Sequence, residues 1–139
     1  MTTTAKPINA PAAGHDVPLE QARFIALVTF RRDGTPVSTP MLFVPDGNRL
    51  LVRTARDTGK LKRVAHTPAV LVVPCDSRGR LLGAPSHGRA RILGEDAVAP
   101  ALAHLHARHP VAGRLSSLVR RLRGQRNVII EVTLGEAVA

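Results

Sequence analysis

The chain has no tryptophan and no tyrosine, and only three phenylalanines among its 139 residues. So few aromatic rings argue against a reader of single-stranded nucleic acid, which stacks bases on such rings. Duplex binding through phosphates alone stays open. Cysteine occurs once, at Cys75, so no intrachain disulfide can form. Flanked by the apolar run AVLVVP and lacking a CxxC partner, Cys75 reads as a small buried hydrophobe rather than a reactive thiol. Long apolar runs are missing as well, none approaching the roughly 20 residues that span a bilayer. The opening MTTTAKPINAPAAGHD holds no hydrophobic segment of the kind a secretory signal needs, so a cytoplasmic protein is expected. Acidic residues are scarce: 10 Asp and Glu face 20 Lys and Arg, a net charge of +10. Such a field attracts polyanions, whether nucleic acid, an acidic membrane surface or a cofactor rich in phosphates and carboxylates.

At 139 residues and 44 % hydrophobic content, one globular domain with its own core is expected. Residues 1–15, rich in Thr, Ala, Pro and Gly, carry no periodic pattern and read as a disordered arm, leaving 16–139 as the domain. Pro18 suits the first position of a short helix, LEQAR. FIALVTF, Phe24 to Phe30, is a continuous apolar and β-branched run, the mark of a strand buried on both faces. Asp33-Gly34 then signals a hairpin into PVSTPMLFV, Pro36 to Val44. Pro40 inside that second strand cannot donate to a ladder, so one edge there must be free or bulged. Asp46-Gly47 turns the chain into a third strand, Arg49 to Thr54. Ala69 to Cys75 and Pro85 to Leu93 read as the fourth and fifth strands, and Asn127 to Leu134 as the sixth. Glu95 to His109 has helical character, with Pro100 kinking it or marking its start. Leu115, Leu118, Val119 and Leu122 form an i, i+3, i+4, i+7 stripe that predicts a further helix ending near Gly124. Tight turns between apolar strands predict a mainly β, α+β fold: a small antiparallel barrel with a helix between its third and fourth strands and a C-terminal helical insertion.

The stretch RTARDTGKLKRVAHTP, Arg53 to Pro68, concentrates the chemistry. Asp57 or Thr58 can cap a helix whose apolar residues Leu61, Val64 and Ala65 share a face. Its first turn would bring together free N–H groups, a threonine hydroxyl, Gly59 for close approach and the Lys60 ammonium. Those are the parts of an anion site, best suited to phosphate. A solvated basic helix face is the competing reading of the same residues.

At this point the chain resembles a known family. The hairpin TFRRDGTPVSTP (Thr29 to Pro40), then TARDTGKLKRVAHTP (Thr54 to Pro68), then CDSRG (Cys75 to Gly79) follow the order seen in split β-barrel proteins like pyridoxamine 5′-phosphate oxidase. Within that superfamily they are similar to the branch of actinobacterial enzymes that use the deazaflavin coenzyme F420. The resemblance implies a six-stranded split barrel, a homodimer with cofactor sites at the subunit interface, and hydride transfer from reduced F420 to a small-molecule acceptor. FMN is the alternative cofactor it implies, and a carrier or sensor binding a flavin, deazaflavin or tetrapyrrole the alternative role. It places Thr54, Thr58, Gly59, Lys60 and Arg63 at the cofactor phosphate, and Thr39, Pro40 and Met41 beside the ring. Departures bear on chemistry. Leu42 stands where many relatives carry tryptophan, Thr67 where asparagine precedes the proline, and Gly59 where the FMN oxidases have arginine. Thr39 and Val44 replace the arginine and lysine pair of those oxidases, which argues against oxidation of pyridoxamine phosphate itself.

The histidines of HLHARHP invite a metal reading, but no cysteine or carboxylate completes a set, and a solvated helix end is expected for His104, His106 and His109. His66 falls at a helix C-terminus, where an imidazolium would suit the dipole. His87 is a candidate proton donor, its strand returning beside the barrel mouth in the family. The arginines of GRLSSLVRRLRGQR are read as a solvated face, with an anionic cofactor tail or membrane phosphates as their alternative partners. No nucleophile–base pair or paired carboxylates stand out, so no catalytic residue is assigned.

Overall fold

Six strands close into one antiparallel barrel in the order β1-β2-β3-β6-β5-β4. The structure is a computed structural model and describes residues 17–56 and 58–135. The predicted arm therefore lies outside the described residues, as does Asp57. The strands are β1 (Phe24–Phe30), β2 (Pro36–Asp46), β3 (Arg49–Ala55), β4 (Ala69–Cys75), β5 (Ser86–Ile92) and β6 (Asn127–Leu134). Helix α1 (Gly59–His66) joins β3 to β4, while α2 (Val98–Arg108) and α3 (Pro110–Leu122) stand between β5 and β6. The first two hairpins turn on Gly34 and Gly47, at φ 89° and 66°, where a side chain would be strained.

β1 lies between β2 and β4 and is buried on both faces, as its unbroken apolar run predicts. Ile25 and Leu27 join the main core with Phe43, Leu50, Val72 and Ile130. Ala26 and Val28 point the other way, into a second cluster with Val73 and Cys75. Val64 of α1 enters the main core, so this short helix packs over the barrel rather than beside it. On the outer face, Glu131 of β6 receives bonds from Arg49 of β3 and from Arg91 of β5, the latter at 3.0 Å. Burial alone would push its carboxyl up, but the two guanidiniums outweigh that and hold it below its ordinary value.

Two sequence expectations need correction. LEQAR forms only a 3-10 turn, Leu19–Gln21, because Ala22 is drawn into the core and the next strand starts at Phe24. The helix expected over Glu95 to His109 divides into a 3-10 turn, Glu95–Ala97, and α2. Pro100 sits in the first turn of α2, where an N–H has no intrahelical partner to lose, so it marks the start rather than a kink. Pro110 then opens α3 and ends α2 at His109.

α2 packs on the outside of the barrel, with Ala101 and Leu105 against Val44, Leu51 and Ile129 and only about 10 Å³ left open between them. α3 packs mainly on α2. Its apolar stripe is left largely exposed: Leu115 is 59 % exposed, Leu118 48 % and Leu122 76 %. The face turned inward is the small and polar one, Gly113, Ser116 and Ser117.

Candidate functional site

Thr58 is the N-cap of α1, in extended conformation, and its carbonyl accepts from Leu61 N–H at 3.3 Å. Its hydroxyl does not cap the helix. It lies 3.3 Å from the Thr54 hydroxyl at the end of β3. The first turn of α1 contains no acidic residue, so among the described residues nothing on the helix itself offsets the positive end of its dipole. Lys60 stands in that turn, half-buried, its pKa lowered by burial first and then by Arg63 and Arg120.

Beside this turn runs a cleft of about 620 Å³. Its polar end is Thr54, Thr58, Lys60, Arg120 and Arg123, and its apolar side Phe24, Leu42, Leu115 and Val119. A smaller hollow of about 250 Å³ adjoins it, sharing Phe24, Leu42, Lys60, Ser116 and Arg120. Thr39, Pro40 and Met41 form the β2 side of that hollow, with Arg53 also in its lining. Here β2 is unpaired toward β3: their ladder runs only from Phe43 to Asp46, whereas β1 pairs with β2 from Pro36 to Leu42. The free edge required by Pro40 is therefore real and opens onto the hollow. Past Thr58, Arg56, Arg123 and Arg126 line a further polar hollow of about 560 Å³. No Asp or Glu lines any of the three among the described residues.

Six of the eight residues singled out from the sequence thus meet along one groove. Gly59 and Arg63 do not line it. Arg63 turns toward β1, where its Nε donates to Thr29 Oγ1 at 2.6 Å. A Cβ on Gly59 would meet the Arg63 Nη1 at 2.7 Å, so the glycine makes room for that side chain.

Sequence reasoning passed over Arg53 as the polar end of a strand. It is 7 % exposed, donates to the hydroxyls of Ser116 and Ser117 on α3, and its Nε has no partner. Burial, and then repulsion from Arg120, bring its pKa down to about 10. The available signal was a lone arginine inside LLVRTA, a charge within an apolar strand. Arg120 and Arg123 were read as solvated or tail-binding; the fold sets both in the groove wall.

The histidines take other places. His109 is buried, not solvated as expected, and its Nε2–H donates to the Phe43 carbonyl at 3.0 Å. His106 pairs with Ser117 at 2.8 Å. At the end of α1, His66 Nε2 accepts from an Arg32 N–H at 2.7 Å. His87 lies on β5 opposite Leu71 of β4 and lines none of the three hollows of the groove. A larger space, about 770 Å³ beside Ile92 and Val98, contains none of the predicted residues.

Six antiparallel strands closed around the main core, with a helix joining β3 to β4, define a recognisable class of small β-barrels. Residues 14–133 match the family model for pyridoxamine 5′-phosphate oxidase, and the chain belongs to that family. None of the curated proteins compared matches it. Among solved structures, an F420 reductase is 24 % identical, with 88 % of this chain and 94 % of that one covered at a TM-score of 0.59. HutZ, the haem storage protein from Vibrio cholerae, is 14 % identical, with 85 % of each chain covered and a TM-score of 0.61. An FAD-binding protein from Mesorhizobium loti is 18 % identical over 82 % and 80 % of the two chains, at 0.50. These likenesses show the fold, one shared by proteins named for flavin-type cofactors and for haem. Among the described residues, no helix is long and apolar enough to cross a membrane.

Proposed function

We propose that the protein is an F420-dependent reductase acting on a small conjugated or heteroaromatic acceptor. The observation that carries this reading is the convergence of Lys60, Arg120 and Arg123 with the first turn of α1, unmatched by any acidic residue in the described lining. Bringing like charges together in a half-buried cleft is unfavourable unless an anion neutralises them. FMN brings one phosphate, whereas F420 brings a phosphodiester and a polyglutamate tail, and the cations continue past Thr58 to Arg56 and Arg126.

The residues present fit such a group. Thr54, Thr58 and Lys60 would hold its phosphate, with Arg120 and Arg123 beside them. The ring would lie in the larger cleft against the apolar Phe24 and Leu42, its polar rim turned toward the backbone of the open β2 edge at Thr39 to Met41, where the smaller hollow begins. Reduced F420 held there would supply a hydride to a conjugated acceptor, and a single water rather than a side chain would supply the balancing proton. The chain's part is to hold ring and acceptor together and keep bulk water away, for which no side-chain nucleophile is needed.

Homodimerisation is part of this proposal, although its ground shifts. The long apolar strands β4 and β6 are already buried within one chain, so they do not require a partner. The exposed stripe of α3 does, and its Leu115 and Val119 also line the cleft, so a second copy seated there would close it. A cytoplasmic location goes with this reading.

The test is to titrate purified protein with F420 and with FMN, then follow oxidation of reduced F420 against a panel of acceptors. Tight F420 binding with turnover supports a reductase. A second reading, a carrier for a flavin, deazaflavin or tetrapyrrole, is favoured by one feature: neither carboxylate nor imidazole lines the described cleft as a proton donor. F420 binding without turnover of any acceptor would favour it.

A further inference from the structure

Arg53 is not explained by a phosphate site at α1. The residue is 7 % exposed, its side-chain hydrogen bonds among the described residues go to two serine hydroxyls, and its buried Nε has no hydrogen-bond partner. After burial itself, what acts on its charge is another cation, Arg120. Buried arginines are ordinarily paired with carboxylates, because an uncompensated charge away from water is costly. Among the described residues, the carboxylates that form ion pairs go elsewhere: Glu131 to Arg49 and Arg91, Asp46 to Arg49, Asp76 to Arg80.

The lining of the hollow is of two kinds. Arg53, Lys60 and Arg120 are cationic; Phe24, Met41, Leu42 and Leu105 are apolar. At about 250 Å³ it is smaller than the roughly 300–1,000 Å³ of pockets for drug-sized ligands. A planar guanidinium held by two serines is pre-organised for a planar two-oxygen anion, and the apolar lining suits a flat unsaturated body. We propose that this hollow is a subsite for a small unsaturated carboxylate anchored by Arg53, so that the acceptor is an organic acid. The subsite stands on Arg53 and its surroundings; only the acid's role as hydride acceptor rests on the F420 reading.

Cinnamate and its neutral isostere cinnamamide are suitable probes, each titrated calorimetrically into the full-length protein, alone and with saturating F420. Saturable binding of cinnamate is expected, with cinnamamide at least about tenfold weaker, and F420 should not displace the acid. Arg53→Gln should weaken cinnamate by roughly 10- to 150-fold, the loss of a charge-assisted hydrogen bond, and change F420 affinity by less than about threefold. Exposed Lys62→Ala should change neither. Because Arg53 also ties α3 to the barrel, circular dichroism and a melting curve accompany each variant. Arg53→Lys, which keeps the charge but loses the fork, should give intermediate cinnamate affinity while still preferring acid to amide. Equal affinity for acid and amide overturns the proposal, as does undiminished cinnamate binding by a folded Arg53→Gln. Mutual exclusion of cinnamate and F420 also overturns it, since the anion held by Arg53 would then belong to the cofactor. Arg53-dependent cinnamate binding by a protein that ignores F420 supports the subsite and sinks the F420 reading alone.

Discussion

Lys60 is where local and tertiary arguments meet. It stands in the first turn of α1, and the fold adds Arg120 and Arg123 across the same cleft. Lys60→Ala removes one charge-assisted hydrogen bond, worth about 1.5–3 kcal/mol. F420 affinity is therefore expected to fall roughly 10- to 150-fold in a fluorescence titration. Lys62, exposed on the same helix, serves as the control, and its alanine variant should bind as wild type does. Unchanged binding by Lys60→Ala would mean that the anion site lies elsewhere. Cys75 gives a second test at this scale. Burial first, and the neighbouring Asp76 second, push its thiol up to about 12, so little reactive thiolate exists at neutral pH. Native protein at pH 8 should resist a disulfide-exchange reagent and react fully once denatured. Cys75 and Lys60 were both legible in the sequence because their immediate neighbours define them. Arg53 was not, since burying it takes a helix more than sixty residues further on.

At the scale of elements, the corner between α2 and α3 is pinned to the barrel by His109 on the Phe43 carbonyl and by Arg108 on the Ala22 carbonyl at 2.9 Å. Burial, reinforced by Arg108 and Arg23, lowers the His109 pKa from 6.5, although its bond to Phe43 opposes this. The native state therefore resists a proton that the unfolded chain accepts, and stability rises with pH where the unfolded state binds more protons. Urea midpoints should hold steady above pH 6.5 and fall as the pH drops from there toward the folded-state pKa. His109→Gln should lose that part of the slope, and an unchanged slope would remove the histidine from the account. α3 makes the opposite kind of prediction. Leu118 and Leu122 are 48 % and 76 % exposed, so their serine variants should change monomer stability by no more than about 0.5 kcal/mol. In sedimentation velocity they should weaken self-association, and a dimer equally strong in both variants would place the interface elsewhere. The helical periodicity of this stripe was plain in the sequence. Its direction was not, because an apolar stripe at 3.6-residue spacing looks the same whether it faces a core or a partner.

For the whole molecule, +10 charges and a groove of cations make binding partly a matter of the overall field. F420 is expected to bind more tightly than FMN, with both affinities falling as salt rises and the F420 series falling more steeply. Titrations across a salt series measure both slopes, and equal slopes would remove the anionic tail from the argument.

Alternating turns and apolar runs settled the number and order of the strands, because a β-branched run bounded by Asp-Gly has few other stable conformations. Pro40 likewise announced an open edge, since a residue without an N–H cannot donate to a neighbouring strand. The start of α1 at Thr58 and Gly59 was also legible, being set by residues adjacent in the chain. Only tertiary structure turned Arg63 away to Thr29, sank His109 under the α2–α3 corner, and carried Arg120 and Arg123 to Lys60. The last of these depends on barrel closure in the order β3-β6-β5, which brings the segment before β6 back to the end of β3. Sequence spacing records which residues share a strand or a helix face; which faces meet is decided by the packing of the closed barrel.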